Sequence, residues 1–424
     1  MHHVEAFSEA FAAVVRQRRR DASSAGVRQA VAEIVEEVRH DGDAALCRLT
    51  RKLDRFPLEP RQIRLADVEL DCAVDKELET ALDQSLEHSR AFHRLQLRQE
   101  WSSASPSGGR VGEVFRPVDR AGIYVPGGTA PLVSTVLMSV VPAQVAGVAE
   151  ICVATPPGPD GQVNKGILAA CRACGVREVY RLGGAQAIAA LAFGTASVRP
   201  VDVIAGPGNE YLTEAKRQVF GVVGIDLLAG PSESMIVIDE TADPAWIAAD
   251  ILSQAEHHGS ATCIVAESGM ILDQVEAHIH ALLSSEFKDN QALASAVKDR
   301  LVAVHATSMA EAADVVNVIA PEHLQIVTAN NDAVLGRVRH AGAVFVGPYA
   351  PVPLGDFVAG PSHVLPTNGA ARFMSGLSTD VFRKRMAVME CTKESFGHVA
   401  RSIEAFGRAE QLPAHAYTAT VRGK

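Results

Sequence analysis

The feature that most constrains the fold is an alternation of short β-branched segments with helical patterns, which begins near residue 120. Residues 151–154 and 179–182 resemble buried strands, and helical patterns follow them near residues 164–174 and 185–193. Alternation of this kind predicts parallel α/β sheets. The pattern continues through further apolar segments at residues 201–205, 235–238, 262–266, 301–304, 324–327 and 343–346. Because these strands are too many for one ordinary sheet, we predict two α/β domains.

Composition excludes several classes of protein. The 424 residues are 47% hydrophobic and 21% charged, which is enough apolar material for sizeable cores and too little charge for a disordered chain. The formal net charge of −10 disfavours nucleic acid and anionic membranes as partners. The sequence shows no signal peptide and no apolar segment of about 20 residues that could span a bilayer. Seven scattered cysteines fit reduced thiols, so we predict a cytoplasmic protein.

Three features of the chain favour a structural interpretation. An apolar stripe at Val27, Val31, Ile34, Val35 and Val38 has the period of a helix that packs on a core. The arginines at positions 16 and 18–20 are either a nucleic-acid contact or cations at a helix C-terminus, and we favour the second interpretation. The C-x-x-C pair at residues 171–174 is assigned to core packing rather than zinc, because a closed zinc site needs four ligands.

Three glycine-containing junctions between strands and helices are candidate ligand loops. The most unusual, residues 205–216, nearly matches the dinucleotide fingerprint but has Tyr211 at the third glycine position. By itself this segment is equally consistent with a structural turn. Similar junctions occur at residues 125–128 and 182–186. Because helix N-termini at such junctions offer free N–H groups to phosphates, the three together favour a nucleotide-type ligand.

Asp243 and Pro244 predict the start of a helix that ends at Gly259. On such a helix Gln254 and His257 would be three residues apart on one face, close enough to share a ligand. His257 is then either a metal ligand or a charge near the C-terminal end of the helix dipole.

The segment Pro321-Glu322-His323 places an acid next to a base. If Pro321 begins a helical turn, Glu322 and His323 both line one site and form a plausible acid–base pair. The alternative is that they are two solvated polar residues before a buried strand.

A loop rich in Gly and Pro at residues 354–367 contains Asp356 and His363. Loops of this kind place functional groups, and a carboxylate here could join His257 on a divalent metal, for which zinc is the natural candidate. Glu410 and His415 are a further acid and histidine in the C-terminal tail.

The order of five of these segments resembles that of the histidinol dehydrogenase family. The segments are residues 206–209, 228–233, 253–257, 320–324 and 362–367, and the resemblance extends from about residue 25 to the C-terminus. Members of this family are oxidoreductases of histidine biosynthesis that use Zn²⁺ and NAD⁺ to oxidise L-histidinol, through the aldehyde, to L-histidine. The resemblance therefore implies L-histidinol as substrate, one zinc ion per subunit and two NAD⁺ consumed per histidine.

The resemblance also implies roles for individual residues. His323 resembles the base that takes the alcohol proton, and Glu322 resembles the carboxylate that activates water against the aldehyde. The implied zinc ligands are Gln254, His257, Asp356 and His415. The implied substrate contacts are Ser232, Gln254, His257, His323, Asp356, His363, Glu410 and His415, and the implied cofactor contacts are Tyr124, Gln186 and Asn209.

The architecture implied is α/β, with two incomplete Rossmann-like parallel-sheet domains, a helical N-terminal segment and an extended helical C-terminal tail. We predict a helical arm at residues 1–24, a discontinuous first α/β domain at residues 25–122 and 234–376, a second α/β domain with the cofactor loops at residues 123–233, and a tail at residues 377–424. The resemblance implies a homodimer in which the tail of one subunit completes the site of the other. Glu410 and His415 would then act in trans.

Three residues depart from the family pattern. His258 follows the zinc-site histidine and could offer a competing ligand, while Gln411 and Pro413 lie in the motif that leads to His415.

The nearest rival interpretation is a paralogous zinc- and NAD-dependent dehydrogenase of another small polar alcohol, such as a sulfonated diol. A zinc hydrolase would leave the glycine loops without a role. A non-catalytic binding protein would be expected to lack the Glu322 and His323 pair.

Overall fold

The computed structural model describes residues 1–18, 24–127, 131–257 and 259–422. The strands are β1 His2–Glu5, β2 Trp101–Ala104, β3 Arg110–Pro117, β4 Arg120–Tyr124, β5 Glu150–Thr155, β6 Glu178–Arg181, β7 Val203–Ala205, β8 Gly224–Ile225, β9 Glu233–Ile238, β10 Ala261–Ala266, β11 Leu301–His305, β12 His323–Val327, β13 Ala343–Val346 and β14 Arg383–Glu390. The helices are α1 Glu9–Arg18, α2 Ala25–Asp41, α3 Asp43–Leu53, α4 Asp67–Leu70, α5 Lys76–Leu95, α6 Val133–Ala146, α7 Lys165–Ala173, α8 Gly184–Phe193, α9 Glu210–Val219, α10 Pro244–Ala255, α11 Gly269–Ser284, α12 Gln291–Arg300, α13 Met309–Ile319, α14 Asn331–Leu335, α15 Val352–Phe357, α16 Lys393–Ala409 and α17 Pro413–Arg422.

The strands form two parallel sheets and one antiparallel sheet. The six-stranded sheet has the order β1-β11-β10-β9-β12-β13, and the five-stranded sheet has the order β6-β5-β4-β7-β8. All paired strands in these two sheets are parallel. The three-stranded sheet, β14-β3-β2, is antiparallel. The predicted α/β class with parallel sheets is confirmed, and each segment predicted as a strand between residues 151 and 346 contains one.

The five-stranded sheet has a topological switch point. The chain runs from β4 through β5 to β6 on one side, and then returns to the other side of β4 for β7 and β8. Ligands of open α/β sheets bind at the carboxyl ends of the strands where the order reverses. Here that crevice lies between the ends of β4 and β7.

The helices between residues 25 and 95 pack on the five-stranded sheet. On one face α2 buries Val27, Val31, Val35 and Val38 against α8 and α9, as the apolar stripe predicts. On the other face α5 packs against α6 and α7. These contacts join residues 25–95 to the sheet built from residues 120–225. The boundary that groups residues 25–122 with residues 234–376 stays a prediction.

Both ends of the chain contain strands, although the sequence predicts a helical N-terminal segment and a mostly helical tail. Residues 2–5 form the edge strand β1, which pairs with β11. Strand β14 pairs along its whole length with β3, from Arg383 opposite Pro117 to Glu390 opposite Arg110. Its sequence, RKRMAVME, lacks the alternation of apolar and polar residues that marks a strand. In the structure none of its side chains is fully buried. Helices α16 and α17 follow it and pack against each other.

The C-x-x-C pair lies in a hydrophobic core, as predicted. Cys171 and Cys174 are buried in the core beside α6, and burial raises the pKa of Cys174 to about 12, so core packing explains the pair. The arginine cluster at positions 16 and 18–20 falls outside the described side chains. Among the described residues, no helix is long and apolar enough to cross a membrane.

Candidate active site

Three titratable side chains meet at the amino end of β12. His323 is the first residue of the strand, Glu322 precedes it and Asp356 lies in α15. Glu322 and His323 are 6% and 5% exposed. His323 Nδ1 lies 3.6 Å from Glu322 Oε2, and His323 Nε2 lies 3.8 Å from Asp356 Oδ1. Both separations are too long for hydrogen bonds. The imidazole thus stands between two carboxyl groups, and no described residue hydrogen-bonds to either of its nitrogens.

Glu322 lies at a bend directly before β12 and His323 begins the strand, so the predicted helical turn at Pro321 is wrong. The Gly342 N–H donates to the Pro321 carbonyl oxygen and the Ala343 N–H donates to the Glu322 carbonyl oxygen, so backbone pairing with the β13 segment begins at Pro321. Glycine is required at position 342, because a Cβ there would lie 2.5 Å from the Glu322 carbonyl oxygen. The alternative that the two residues are solvated is also wrong, since both are buried.

Burial shifts all three groups toward their neutral forms. It lowers the pKa of His323 to about 3 and raises the pKa of Asp356 to about 7. Burial also holds the pKa of Glu322 well above its ordinary value, and the charges of Glu233 and Asp356 add to this effect. No described lysine or arginine forms an ion pair with Glu322 or Asp356. At pH 7 the imidazole is therefore neutral, and the carboxyl groups lack a cation that would favour their ionised forms.

His363 lies beyond α15, and its hydrogen bonds fix its tautomer. Its Nδ1 is 3.0 Å from the Asp356 carbonyl oxygen, which can only accept, so Nδ1 carries the proton. Nε2 then accepts from the hydroxyl of Thr135, at 3.0 Å. Burial lowers the pKa of His363 to about 4. Thr135, which sequence reasoning missed, therefore holds this ring from α6.

Gln254 and His257 do not share a helix. The Asp243 carboxylate caps α10 as predicted, but the helix ends at Ala255, and the chain bends through His257. Gly259, with a φ of 76°, takes the left-handed conformation that turns the chain toward β10. Gln254 is 2% exposed and its Oε1 has no hydrogen-bond partner among the described residues, whereas His257 is exposed.

The donors around this cluster fit a zinc ion. Gln254 Oε1 is a buried oxygen and the Asp356 carboxylate is half-buried. Neither accepts a hydrogen bond from a described residue, and His257 adds a ring nitrogen. Zinc accepts such a mixed nitrogen and oxygen set. Because a buried polar group without a partner is costly, a bound cation would stabilise both oxygens.

The tail residues Glu410 and His415 do not complete this cluster within one chain. Both are exposed, Glu410 at the end of α16 and His415 in the first turn of α17. In the described ranges, the ligand atoms of three His, Cys, Asp or Glu side chains come within 4.8 Å of one another only at a surface group. That group is His3, Asp273 and Glu276. His257, Asp356 and His415 are therefore not a closed ligand set in a single chain.

Two of the departures from the family pattern form the turn between the tail helices. Gln411 takes a positive φ of 57°, which ends α16, and Pro413 is the first residue of α17, where its fixed φ suits a helix start. The helices pack with their backbones close, since a Cβ on Gly407 would lie 2.6 Å from the Ala416 nitrogen. The third departure, His258, lies outside the described residues.

The start of β9 lies against the reacting cluster, which consists of Glu322, His323 and Asp356. Ser232, which is half-buried, immediately precedes it. The Glu233 N–H donates to Glu322 Oε2 at 2.9 Å, and the Asn368 N–H donates to Glu233 Oε2 at 3.0 Å. These bonds connect β9, the start of β12 and the segment after His363. Sequence reasoning missed Glu233, although an acid at the start of an apolar strand was a signal for it.

The predicted cofactor residues Tyr124 and Gln186 lie together at the carboxyl edge of the five-stranded sheet. The Tyr124 hydroxyl accepts from the Gly184 N–H at 3.1 Å, and burial raises the pKa of Tyr124 to about 12. Gln186 is 1% exposed, and its Nε2 donates to Asp54 Oδ2 at 3.2 Å. Asp54, directly after α3, was missed by sequence reasoning because more than 130 residues separate it from its partner.

Asn209 begins α9, on the other side of the switch point. Its Oδ1 accepts from the Tyr211 and Leu212 N–H groups, at 3.1 Å each, so its oxygen caps the helix. The loop before it needs glycine, since Gly206 has a φ of 122° and a Cβ there would lie 2.1 Å from the Tyr124 carbonyl oxygen. This close approach brings the loop directly against the end of β4.

A buried ion pair holds that loop in place. Lys216 on α9 and Asp226 after β8 are 2% and 9% exposed, and the ammonium pairs with the carboxylate. Lys216 Nζ also donates to the Gly206 carbonyl oxygen at 3.0 Å, and the Gly206 N–H donates to Asp226 Oδ2 at 2.8 Å. Both backbone polar groups of Gly206 are therefore fixed.

This edge of the sheet fits a dinucleotide. Helix α8 begins without a side-chain cap, so N–H groups of its first turn stay available to hydrogen-bond acceptors of a ligand. The glycine at position 206 allows close approach to the backbone, and the hydroxyl of Tyr124 and the amides of Gln186 and Asn209 supply polar contacts. The arrangement lies at the switch point of an α/β sheet, where such ligands bind.

The chain is similar in sequence and in fold to one group of known proteins. A family model described as histidinol dehydrogenase matches residues 17–423. The chain is 44% identical over 404 residues to histidinol dehydrogenase of Bacillus subtilis strain 168, covering 95% of this chain and 94% of the relative. It is 44% identical over 396 residues to the Synechococcus enzyme of the same name, covering 92% and 91%. The crystal structure of histidinol dehydrogenase from Elizabethkingia anophelis is similar to it, with a TM-score of 0.93, 33% identity and coverage of 100% and 98%.

Proposed function

This chain belongs to the histidinol dehydrogenase family of oxidoreductases, and from that premise we propose that it oxidises L-histidinol through L-histidinaldehyde to L-histidine with two NAD⁺. The observation that carries the proposal is the buried imidazole of His323 between the carboxyl groups of Glu322 and Asp356. A reaction that takes an alcohol to an acid needs a base for the alcohol proton and a second base for the water that adds to the aldehyde.

In this proposal His323 takes the hydroxyl proton of the alcohol while a hydride leaves the adjacent carbon. The neutral state of the ring supports this role, because only a neutral imidazole can accept a proton. Glu322 takes a proton from the water that adds to the aldehyde in the second half-reaction. Its Oε2 is oriented by the Glu233 N–H, so the carboxyl group has one position. NAD⁺, bound at Tyr124, Gln186 and Asn209, would accept the hydride in each half-reaction.

Gln254, His257 and Asp356 would hold the zinc ion, with His415 as the fourth ligand. Bound there, Zn²⁺ would orient the substrate as a Lewis acid, and its charge would favour the ionised forms of the carboxyl groups that burial now disfavours. His363 and Ser232 would contact the substrate, with the ring of His363 held by Thr135.

We place His415 and Glu410 in the site of a second subunit. Both are exposed in the single chain, and neither joins a group of metal-binding side chains there. A homodimer in which each tail completes the neighbouring site would supply the missing zinc ligand and a substrate contact. We propose a cytoplasmic location, as for an enzyme of amino-acid biosynthesis.

The test is a measurement of NADH formation from L-histidinol by purified, zinc-loaded protein, with the histidine formed quantified in parallel. We expect about two NADH per histidine and loss of activity when the metal is removed by a chelator. Zinc binding without any turnover of histidinol, together with turnover of another polar alcohol such as a sulfonated diol, would instead favour the paralogous dehydrogenase.

A further inference from the structure

Two oxygen atoms near the start of α8 have no donor among the described residues. Asp54 accepts from Gln186 through Oδ2, which leaves Oδ1 without a protein donor. The carboxylate accepts from Gln186 Nε2, so Gln186 Oε1, on the opposite side of the amide group, points away from Asp54. This oxygen is buried and has no hydrogen-bond partner among the described residues. A Cβ on Gly183 would lie 3.2 Å from Asp54 Oδ1, and one on Gly184 would lie 3.0 Å from Gln186 Oε1. Both acceptors therefore lie against the glycine junction that begins α8.

The chemistry of this pair selects its ligand. Asp54 is half-buried. Burial raises the pKa of its carboxyl group to about 6, although the hydrogen bond from the Gln186 amide acts in the opposite direction. No described cation pairs with it. Two acceptors, one of them ionised near neutral pH, bind groups that donate hydrogen bonds, such as hydroxyls. They repel a phosphate, which carries negative charge and accepts rather than donates.

The position of the pair within the sheet indicates which part of a dinucleotide it would meet. Strand β8, at one edge of the sheet, leads through residues 226–232 to β9 and the reacting cluster. Asp54 lies toward the other edge, since Gly183 follows β6 and a Cβ on it would also contact Pro156, which follows β5. A dinucleotide that extends along this edge, with its nicotinamide toward His323, has its adenosine near Asp54.

We propose that Asp54, with the Gln186 amide that it orients, accepts hydrogen bonds from the adenosine ribose hydroxyls of the cofactor and thereby selects NAD⁺ over NADP⁺. This inference rests on the proposed function, because it requires a nicotinamide cofactor at this edge. The acid–ribose contact is the same chemistry that other dinucleotide sites use. Here the acid comes from the end of α3, outside the five-stranded sheet. Asp54 is thus a specificity-determining residue that lies far from the reacting groups.

The experiment is a direct titration of the full-length protein with NAD⁺ and with NADP⁺ by calorimetry, supported by the fluorescence of bound NADH and NADPH. It compares wild type with Asp54→Asn, which keeps an acceptor for Gln186, and with Asp54→Ser as a second variant. Glu59→Gln is the matched control, because Glu59 is an exposed carboxylate five residues away that pairs with Arg61. Thermal unfolding verifies that each variant is folded.

We expect wild type and Glu59→Gln to prefer NAD⁺, and we expect both Asp54 variants to reduce the ratio of the NADP⁺ and NAD⁺ dissociation constants by about tenfold or more. A ratio within twofold of wild type in the folded Asp54 variants would overturn the inference and leave the proposed function standing. Equal affinity of wild type for NAD⁺ and NADP⁺ would also overturn the inference and leave the proposed function standing. If wild type binds neither, the cofactor assignment of the proposed function is lost as well.

Discussion

At the scale of single residues, the protonation states in the reacting cluster are determined by burial more than by charged partners. His323 is neutral although two carboxyl groups lie within 4 Å of its ring nitrogens. Desolvation is the largest cause of the lowered pKa of His323, and the nearby rings of His363 and His257 lower it further. The two proposed bases, His323 and Glu322, differ in chemical type. Substitution of each one can therefore separate its role from that of the other.

Replacement of each base should affect a different half-reaction. We expect His323→Ala to slow the oxidation of histidinol by about 10²-fold or more, because the alcohol proton loses its acceptor. We expect Glu322→Gln to slow the oxidation of histidinaldehyde by a similar factor while sparing the alcohol step. The glutamine oxygen can still accept from the Glu233 N–H, so the geometry is kept. The measurement is a pre-steady-state NADH trace with each substrate. Equal losses in both half-reactions for Glu322→Gln would contradict the assigned role.

The half-buried carboxyl group of Asp54 should leave a pH signature in stability. Its pKa is about 6 in the folded protein and 3.8 as the ordinary value, so between these values the folded state holds more protons than the unfolded state. The free energy of unfolding then decreases as pH rises from about 4 to about 6, and this cost persists at higher pH. We expect Asp54→Asn to raise the melting temperature at pH 8 by about 2–4 °C and to leave it nearly unchanged at pH 4. An equal increment at both pH values would argue against a raised pKa.

At the scale of elements, local signals in the sequence predict more than distant ones. The start of α10 was predicted because Asp243 caps the helix through its own neighbours. The end of α10 was not, because the bend before Gly259 depends on how the chain enters β10. Strand β14 was missed because its partner β3 lies about 270 residues away and its side chains are exposed. Only tertiary pairing makes this charged segment a strand.

The same limit applies to the candidate site. The residue types predict Glu322 and His323 as an acid–base pair, whereas the role of Asp356 as a zinc ligand is implied by the resemblance to the family. The residues that hold them or extend the site, Thr135, Glu233 and Asp54, have no motif and act through one hydrogen bond to a distant segment. Their roles follow from geometry alone.

Loss of the buried cation on α9 should destabilise the loop before that helix. In Lys216→Met the Asp226 carboxylate stays buried without its partner, and the Gly206 carbonyl oxygen loses a donor. We expect the free energy of unfolding to fall by about 3–5 kcal/mol, as measured by denaturant titration, and NAD⁺ affinity to fall with it. Arg48→Met is the control, since its ion pairs with Glu37 and Asp41 are exposed and should contribute about 1 kcal/mol or less. A similar small effect for both variants would contradict the proposed role of the pair.

At the scale of the whole molecule, the C-terminal tail exposes several large apolar side chains. Its exposed apolar side chains lie on β14, α16 and α17, and include Met386, Met389, Phe406, Tyr417 and Val421. Exposed apolar groups in such number on one short segment are typical of a surface that another protein covers. A second copy of this chain, as the proposed dimer requires, would bury them and bring His415 to a zinc site.

Mixing of two inactive variants tests that arrangement. His257→Ala lacks a ligand from the body of the subunit, and His415→Ala lacks one from the tail. If each site combines the body of one subunit with the tail of the other, a heterodimer has one intact site, and random mixing should restore about a quarter of wild-type activity. A mixture of His257→Ala with Asp356→Ala is the control, because both changes lie in the body and should recover nothing. Failure of the first pair to recover activity after verified exchange of subunits would exclude trans assembly.

The edge strand β1 has a consequence for how the chain is made. His2–Glu5 pair with residues 302–305, so the first strand to leave the ribosome must wait for one that is synthesised about 300 residues later. At about 5–20 residues per second, this interval lasts about 15–60 s. During that time β11 does not exist, while the five-stranded sheet can already fold from residues 120–225. We therefore expect an order of folding that the finished structure does not show: the five-stranded sheet forms first, and β1 joins the six-stranded sheet near the end.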